Sequence, residues 1–185
     1  VILNVDATKP KDVVAFGRAT IDLYANEMGP MEDAVTFTKY VGGSPANTAV
    51  AMANLGLSVG YVGKVSDDAF GRYIVHYLAE KGVETSHIET ASQGIRSGVT
   101  MGEIRSPQEC SYFMYRTNCA DLQISCSQLD EAYISQFKLL LVSGTSLSHS
   151  PAREAVFLAI EYARRNGVLV ALDLDGTTLT ADKAL

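Results

Sequence analysis

The chain has 185 residues, of which 47% are hydrophobic and 19% charged, a globular composition sized for one domain or for one and part of another. Lys and Arg number 15 against 21 Asp and Glu, for a net charge of -6, and no basic block stands out, which argues against general nucleic-acid binding. The longest apolar runs, such as Leu139 to Val142, are far too short to cross a bilayer, so no membrane partner is expected.

Three cysteines, Cys110, Cys119 and Cys126, fit neither a disulfide framework nor a paired zinc site, and free thiols in a reducing cytoplasm are expected. Val1 follows no initiator Met and opens no positively charged leader. The N-terminus is therefore expected to be processed, trimmed or internal, with no sign of export.

After a polar lead-in, Asp12 to Phe16 reads as a buried strand ending at Gly17. Two further strands are predicted over Ile21 to Ala25 and Val35 to Tyr40, turned by Gly29-Pro30. Gly42-Gly43-Ser44-Pro45-Ala46-Asn47 opens a helix, with Ser44 as its cap and Pro45 in its first turn. That helix is predicted to stop at Gly56. A buried strand over Ser58 to Val65 and a helix over Ala69 to Lys81 follow. Strands over Val99 to Ile104 and Cys110 to Arg116 form a second hairpin through Arg105 to Glu109. A helix near Ser127 to Gln136, a strand over Lys138 to Val142, a helix from Ser150-Pro151 to Asn166 and a strand over Val168 to Leu172 complete the pattern. Strands alternating with helices from residue 45 onward predict parallel βαβ units with right-handed crossovers. The hairpins at about 20–40 and 97–116 do not fit that core and predict a small separate sheet, of the kind that covers a site as a lid.

Three stretches could carry chemistry. The glycine-rich element at 42–47 can present backbone N–H groups at a helix start, with Asn47 reading vicinal hydroxyls, or it can be a plain capped turn. Asp22 lies just past a buried strand, where open α/β sheets place ligands; it can accept bonds from two hydroxyls or simply be solvated. Tyr115-Arg116 closes a hairpin strand, and Arg116 can pair with a carboxylate or stand in water. Ser143-Gly-Thr-Ser146 reads as an ordinary strand-to-helix turn that could face a cleft. The three histidines, His76, His87 and His149, have no ligand spacing.

Together these elements resemble the ribokinase/PfkB carbohydrate kinases over nearly all of the chain. Gly42-Gly43-Ser44-Pro45-Ala46-Asn47-Thr48-Ala49 is similar to the signature of that family's N-terminal half. Gly63-Lys-Val-Ser-Asp-Asp-Ala-Phe-Gly71 is similar to its Gly-x-Val-Gly-Asp-Asp-x-Phe-Gly, with Ser66 in place of the usual Gly. Gly17-Arg-Ala-Thr-Ile-Asp22, Glu103 to Cys110, Met114-Tyr-Arg116 and Leu139 to Thr145 resemble the branch that acts on keto-deoxy sugar acids.

The resemblance implies a ribokinase-like doubly wound α/β sheet with a small β-sheet lid that often makes a homodimer contact. It implies transfer of the γ-phosphoryl of ATP, with Mg2+ on the nucleotide, to a primary hydroxyl of a sugar acid. Asp22, Gly43 and Asn47 would hold sugar hydroxyls, and Tyr115 and Arg116 would face the carboxylate or keto end. Residues 1–185 would then be the N-terminal part of a kinase domain. The family's Gly-Ala-Gly-Asp-like element, which carries the general base beside the nucleotide site, does not occur in the sequence. The chain alone is therefore expected not to turn over.

Two other readings remain open. Val168 to Asp173, Asp175 and Gly176-Thr177 are similar to the first motif of haloacid-dehalogenase-type phosphatases, in which Asp173 would be the nucleophile and Asp175 the acid/base. A non-catalytic module that binds sugar or dimerises is the third.

Overall fold

Val13, Val14, Ala15 and Phe16 are all buried in β1 (Lys11–Phe16), as a strand covered on both faces must be. The structure, a computed structural model, describes residues 5–174. After β1 come β2 (Thr20–Ala25), β3 (Phe37–Gly42), α1 (Ser44–Asn54), β4 (Val59–Val65), α2 (Ala69–Glu80) and β5 (Val83–Thr90). The second half contributes β6 (Val99–Ser106), β7 (Glu109–Tyr115), α3 (Glu131–Ile134), β8 (Phe137–Ser143), α4 (Ala152–Arg165) and β9 (Leu169–Asp173).

Five strands form a sheet in the order β5-β4-β1-β8-β9, and every pair in it is parallel. Alternation along β1 sorts its side chains between two cores. Val13 and Ala15 join Ala46, Ala49, Ile74 and Leu78 of α1 and α2 on one face. Val14 and Phe16 join Ala155, Val156 and Ala159 of α4 on the other. The result is the three-layer α/β/α arrangement that the strand–helix alternation predicts. Along α4 the buried residues Ala152, Ala155, Val156, Ala159 and Ala163 recur every three or four positions, a narrow small-residue stripe that lets the helix lie close to the sheet.

The two hairpins make a second sheet of four strands, ordered β3-β2-β6-β7. β2 is antiparallel to β3 and parallel to β6, and β6 is antiparallel to β7.

Several boundaries differ from the sequence reading. β3 begins at Phe37 because its partner β2 ends at Ala25, opposite Phe37, and Val35 is left 82% exposed. The turn between β6 and β7 shrinks to Pro107-Gln108. The helix expected over Ser127 to Gln136 is only the short α3, since the Asp130 side chain accepts from the N–H groups of Ala132 and Tyr133 and so starts the helix there. Upstream, Cys126–Gln128 forms a separate 3-10 turn closed by a capping box with Ser125. β5 is absent from the sequence reading. Its Val-Glu-Thr-Ser-His-Ile-Glu-Thr sequence is mostly polar because it is an edge strand with a single neighbour, β4.

Candidate functional site

A cleft of about 440 Å³ opens between the two sheets. It lies at the carboxyl ends of β1 and β8, on either side of the point where the strand order reverses direction. That switch point is where open α/β sheets bind ligands. The gap after β1 supplies Arg18, the turn after β8 supplies Thr145, and the start of α1 supplies Gly43, Ser44 and Asn47. One face of the second sheet supplies Thr20, Asp22 and Tyr24 from β2, Thr100 from β6, and Tyr112 and Met114 from β7, with Arg116 just past its end.

Asp22 stands at the middle of that face. Thr20 Oγ1 donates to its Oδ1 at 3.3 Å. Its carboxylate lies over Gly42 on the neighbouring strand, where any Cβ would collide with it. Gly42 therefore makes room for a carboxylate that still has acceptor capacity in the cleft. Gly43 has φ +100°, a conformation that L side chains rarely adopt. A Cβ there would also run into the Arg18 carbonyl.

Gly43, not Ser44, is the residue that caps α1, and it does so with no side-chain bond. Ser44 is already helical, and its Oγ lies 3.4 Å from Ser143 Oγ. The amides of the first turn of α1 are thus left without a side-chain cap, at the cleft wall. Asn47 is exposed at the same wall. Its spacing from Gly43 is one helical turn, and its N–H donates to the Gly43 carbonyl at 2.9 Å.

Arg116 lies in the cleft, but its charge is matched from behind. Its Nε and Nη2 donate to Asp121 Oδ2 at 3.0 and 2.5 Å, and Nη2 also reaches the Thr145 carbonyl at 3.4 Å. The Asp121 side chain is only 2% exposed, so this pair fixes where the guanidinium stands. Tyr115 is not brought to the same place. It is 67% exposed and points to the opposite face of the sheet, beside Val99 and Met101. The alternation of β7 requires this, because Tyr112, Met114 and Arg116 share the cleft face. Tyr112 is the tyrosine on that face.

Of the five candidates, Asp22, Gly43, Asn47 and Arg116 thus converge, and Tyr115 does not. Arg18, Thr20, Thr100, Tyr112 and Thr145 also line the cleft, and no sequence signal singles them out as directly. Counting by two from Asp22 and from Arg116 would have found Thr20 and Tyr112. The turn Ser143 to Ser146 reads as ordinary in sequence, but Thr145 enters the cleft. Tyr61 supports the floor from below. It is fully buried, and its hydroxyl donates to the carbonyls of Gly17 at 3.2 Å and Arg18 at 2.9 Å. Burial first, and then the Asp121 charge, push its ionisation far above the ordinary tyrosine range, so it stays a donor.

The motif departure at Ser66 is accommodated locally. Ser66 is buried, and its Oγ donates to Asp68 Oδ1 at 2.7 Å and lies 2.9 Å from Ser97 Oγ. It thereby steadies the carboxylate that caps α2. Asp173 ends β9 beside Ser143, while Asp175, the other half of the phosphatase-like motif, lies outside the described residues.

A polar cleft at the switch point of a parallel sheet, flanked by a second small sheet, defines the class: an α/β protein with a cleft where such folds bind small molecules. The sequence profile described as pfkB family carbohydrate kinase matches residues 10–185. The chain belongs to that family, and its fold is the ribokinase-like one. It is 55% identical over 175 residues to a 5-dehydro-2-deoxygluconokinase of Geobacillus thermodenitrificans, covering 94% of this chain and 52% of that protein. It is 52% identical over 168 residues to 5-dehydro-2-deoxygluconokinase 1 of Bacillus cereus, covering 90% and 51%. The chain therefore spans about half the length of the curated relatives it matches.

Among solved structures, a fructokinase of Xylella fastidiosa superposes with TM-score 0.81 at 29% identity, covering 89% of this chain and 52% of that one. The PfkB protein of Polaromonas sp. JS666 superposes with TM-score 0.82 at 26% identity, covering 88% and 55%. The Xylella fructokinase has also been solved with bound ATP, and that structure matches at 30% identity with TM-score 0.79, covering 89% and 49%.

Proposed function

We propose that this chain forms the sugar-binding part of a kinase that transfers the γ-phosphoryl of ATP to a primary hydroxyl of a keto-deoxy sugar acid, of the 5-dehydro-2-deoxygluconate type. The observation that carries this reading is the convergence of Asp22, Gly43, Asn47 and Arg116 on one cleft at the switch point. Asp22 accepts from sugar hydroxyls, Asn47 both donates and accepts, and the Gly43 backbone lets the ligand approach the start of α1 closely. Arg116 stands at the keto or carboxylate end. This is positioning chemistry, suited to a reaction in which the protein mainly orients two substrates and neutralises charge.

The described residues hold no group of three metal-ligating side chains. Mg2+ in this reading would come with the nucleotide and would neutralise charge on its phosphates. The profile match runs through Asp173 to residue 185, which favours the kinase over the phosphatase reading of that strand. A cytoplasmic location and a homodimer through the second sheet, acting as a lid, belong to the same reading.

Calorimetry with 5-dehydro-2-deoxygluconate tests it. The chain binds the sugar acid, and Asn47→Ala weakens binding about tenfold or more, as expected for a pair of lost hydrogen bonds. Unchanged affinity in that variant removes Asn47 from the sugar site, and absent binding by the wild-type chain overturns the reading. With ATP added, the chain alone forms no phosphorylated product, because it carries no Gly-Ala-Gly-Asp-like element; product formation would show that element to be dispensable.

A further inference from the structure

Two guanidinium groups line the cleft, and their surroundings differ. Arg116 is neutralised by buried Asp121. Arg18 forms no ion pair among the described residues. Its Nε is buried with no hydrogen-bond partner, and its Nη1 reaches only the Met114 sulfur at 3.6 Å, a weak acceptor. The backbone of Arg18 is nevertheless held tightly. Tyr61 donates to its carbonyl from below, and Gly43 packs against that same carbonyl from the side. From this anchor the side chain reaches from the end of β1 across to β7. A half-buried cation with a desolvated donor and no ion-pair partner costs stability in the free protein. Arginine, with its planar fork, is the side chain suited to close such a gap with a carboxylate.

We propose that Arg18, rather than Arg116, is the residue that recognises the carboxylate of the sugar acid, and so sets the preference for an acid over a neutral sugar. This rests on the sugar-acid reading above and deepens it. Asp121 has already taken the Nε and Nη2 donors of Arg116, which leaves that group to orient the neighbouring keto end. The substrate carboxylate supplies the acceptor that Arg18 lacks, in the part of the cleft beside Met114.

The test compares 5-dehydro-2-deoxygluconate with its carboxamide, which keeps the hydroxyls and removes the charge, by calorimetry on the full chain. The wild type binds the acid about 10- to 100-fold more tightly than the amide, as a charge-assisted pair does. Arg18→Met brings the two within about threefold of each other by weakening the acid alone. Arg18→Lys, which keeps the charge without the fork, retains part of the preference. The unliganded Arg18→Met protein melts no lower than wild type, because only the weak contact of Nη1 with the Met114 sulfur is lost; a clearly lower melting temperature would mark Arg18 as a structural cation and overturn the proposal. Full discrimination in Arg18→Met, or its loss in Arg116→Met instead, also overturns the Arg18 assignment while leaving the sugar site standing. Wild-type protein that binds neither compound overturns the sugar-acid reading itself.

Discussion

Asp12 shows how much of a residue's behaviour comes from its partners. Lys138 Nζ donates to its Oδ1 at 2.8 Å, and the Ser58 N–H and hydroxyl donate to its Oδ2 at 2.9 and 3.0 Å. The Lys138 bond foremost, then those from Ser58, hold the carboxyl down at about 2. A folded-state value below the unfolded one gives stability that is fully present above the unfolded pKa, near 4, and is lost as pH falls through about 2. The pair ties β1 to β8 and to the entry of β4. Stability is expected to drop between about pH 4 and pH 2, and Asp12→Asn should flatten that part of the curve, as read by urea unfolding at several pH values. Solvent screening of a quarter-exposed side chain limits the difference to about 1 kcal/mol. An unchanged profile in Asp12→Asn would assign the acid sensitivity to other carboxylates.

At the scale of the element, the junction of β3 and α1 concentrates the constraints. Gly42 clears the Asp22 carboxylate, Gly43 takes a left-handed turn against the Arg18 carbonyl, and the helix then presents Asn47 one turn on. A single substitution tests the whole junction. Gly43→Ala meets both an unfavourable φ and a backbone collision, and should cost about 1–3 kcal/mol of stability together with the sugar binding proposed for the cleft. Thermal melts and calorimetry read the two effects separately. A variant with wild-type melting and wild-type affinity would show that neither constraint acts. The glycines here are legible in sequence as a turn opening a helix, but the identity of the cap is not. Ser44 has the right chemistry for a cap, yet it is drawn inside the helix beside Ser143 because Gly43 supplies the turn.

At the scale of the molecule, the second sheet presents one face to the cleft and continues it outward with Tyr24, Tyr40, Ile104 and Tyr112, all exposed. Strand register places these residues on the same face as Asp22. An apolar extension of a site wall on a small sheet is a surface that a second copy can cover. Sedimentation should therefore show a dimer that Ile104→Asp or Tyr112→Asp converts to monomer. A wild-type monomer at micromolar concentration would remove the lid contact. The same sheet explains why Tyr115 falls outside the site that its neighbour Arg116 joins. Adjacent residues of a strand cannot face one cleft together, so once β7 aims Arg116 inward, Tyr115 must point away.

The sequence by itself determined the layers. Strand–helix alternation, glycine stops and buried apolar runs such as Val13 to Phe16 follow from local periodicity, and they were sufficient for a parallel α/β core with two inserted hairpins. It also marked Asp22, Gly43 and Asn47, since motif and element end lie close together along the chain. Only the tertiary structure decided the rest. β5 is polar because its position at the sheet edge spares it burial, and no local pattern shows that. Arg18 and Arg116 look alike in sequence; what separates them is a buried Asp121 beside one and only a thioether beside the other. Counter-charges are arranged in space by the fold, whereas periodicity along the chain reports only which face a residue occupies.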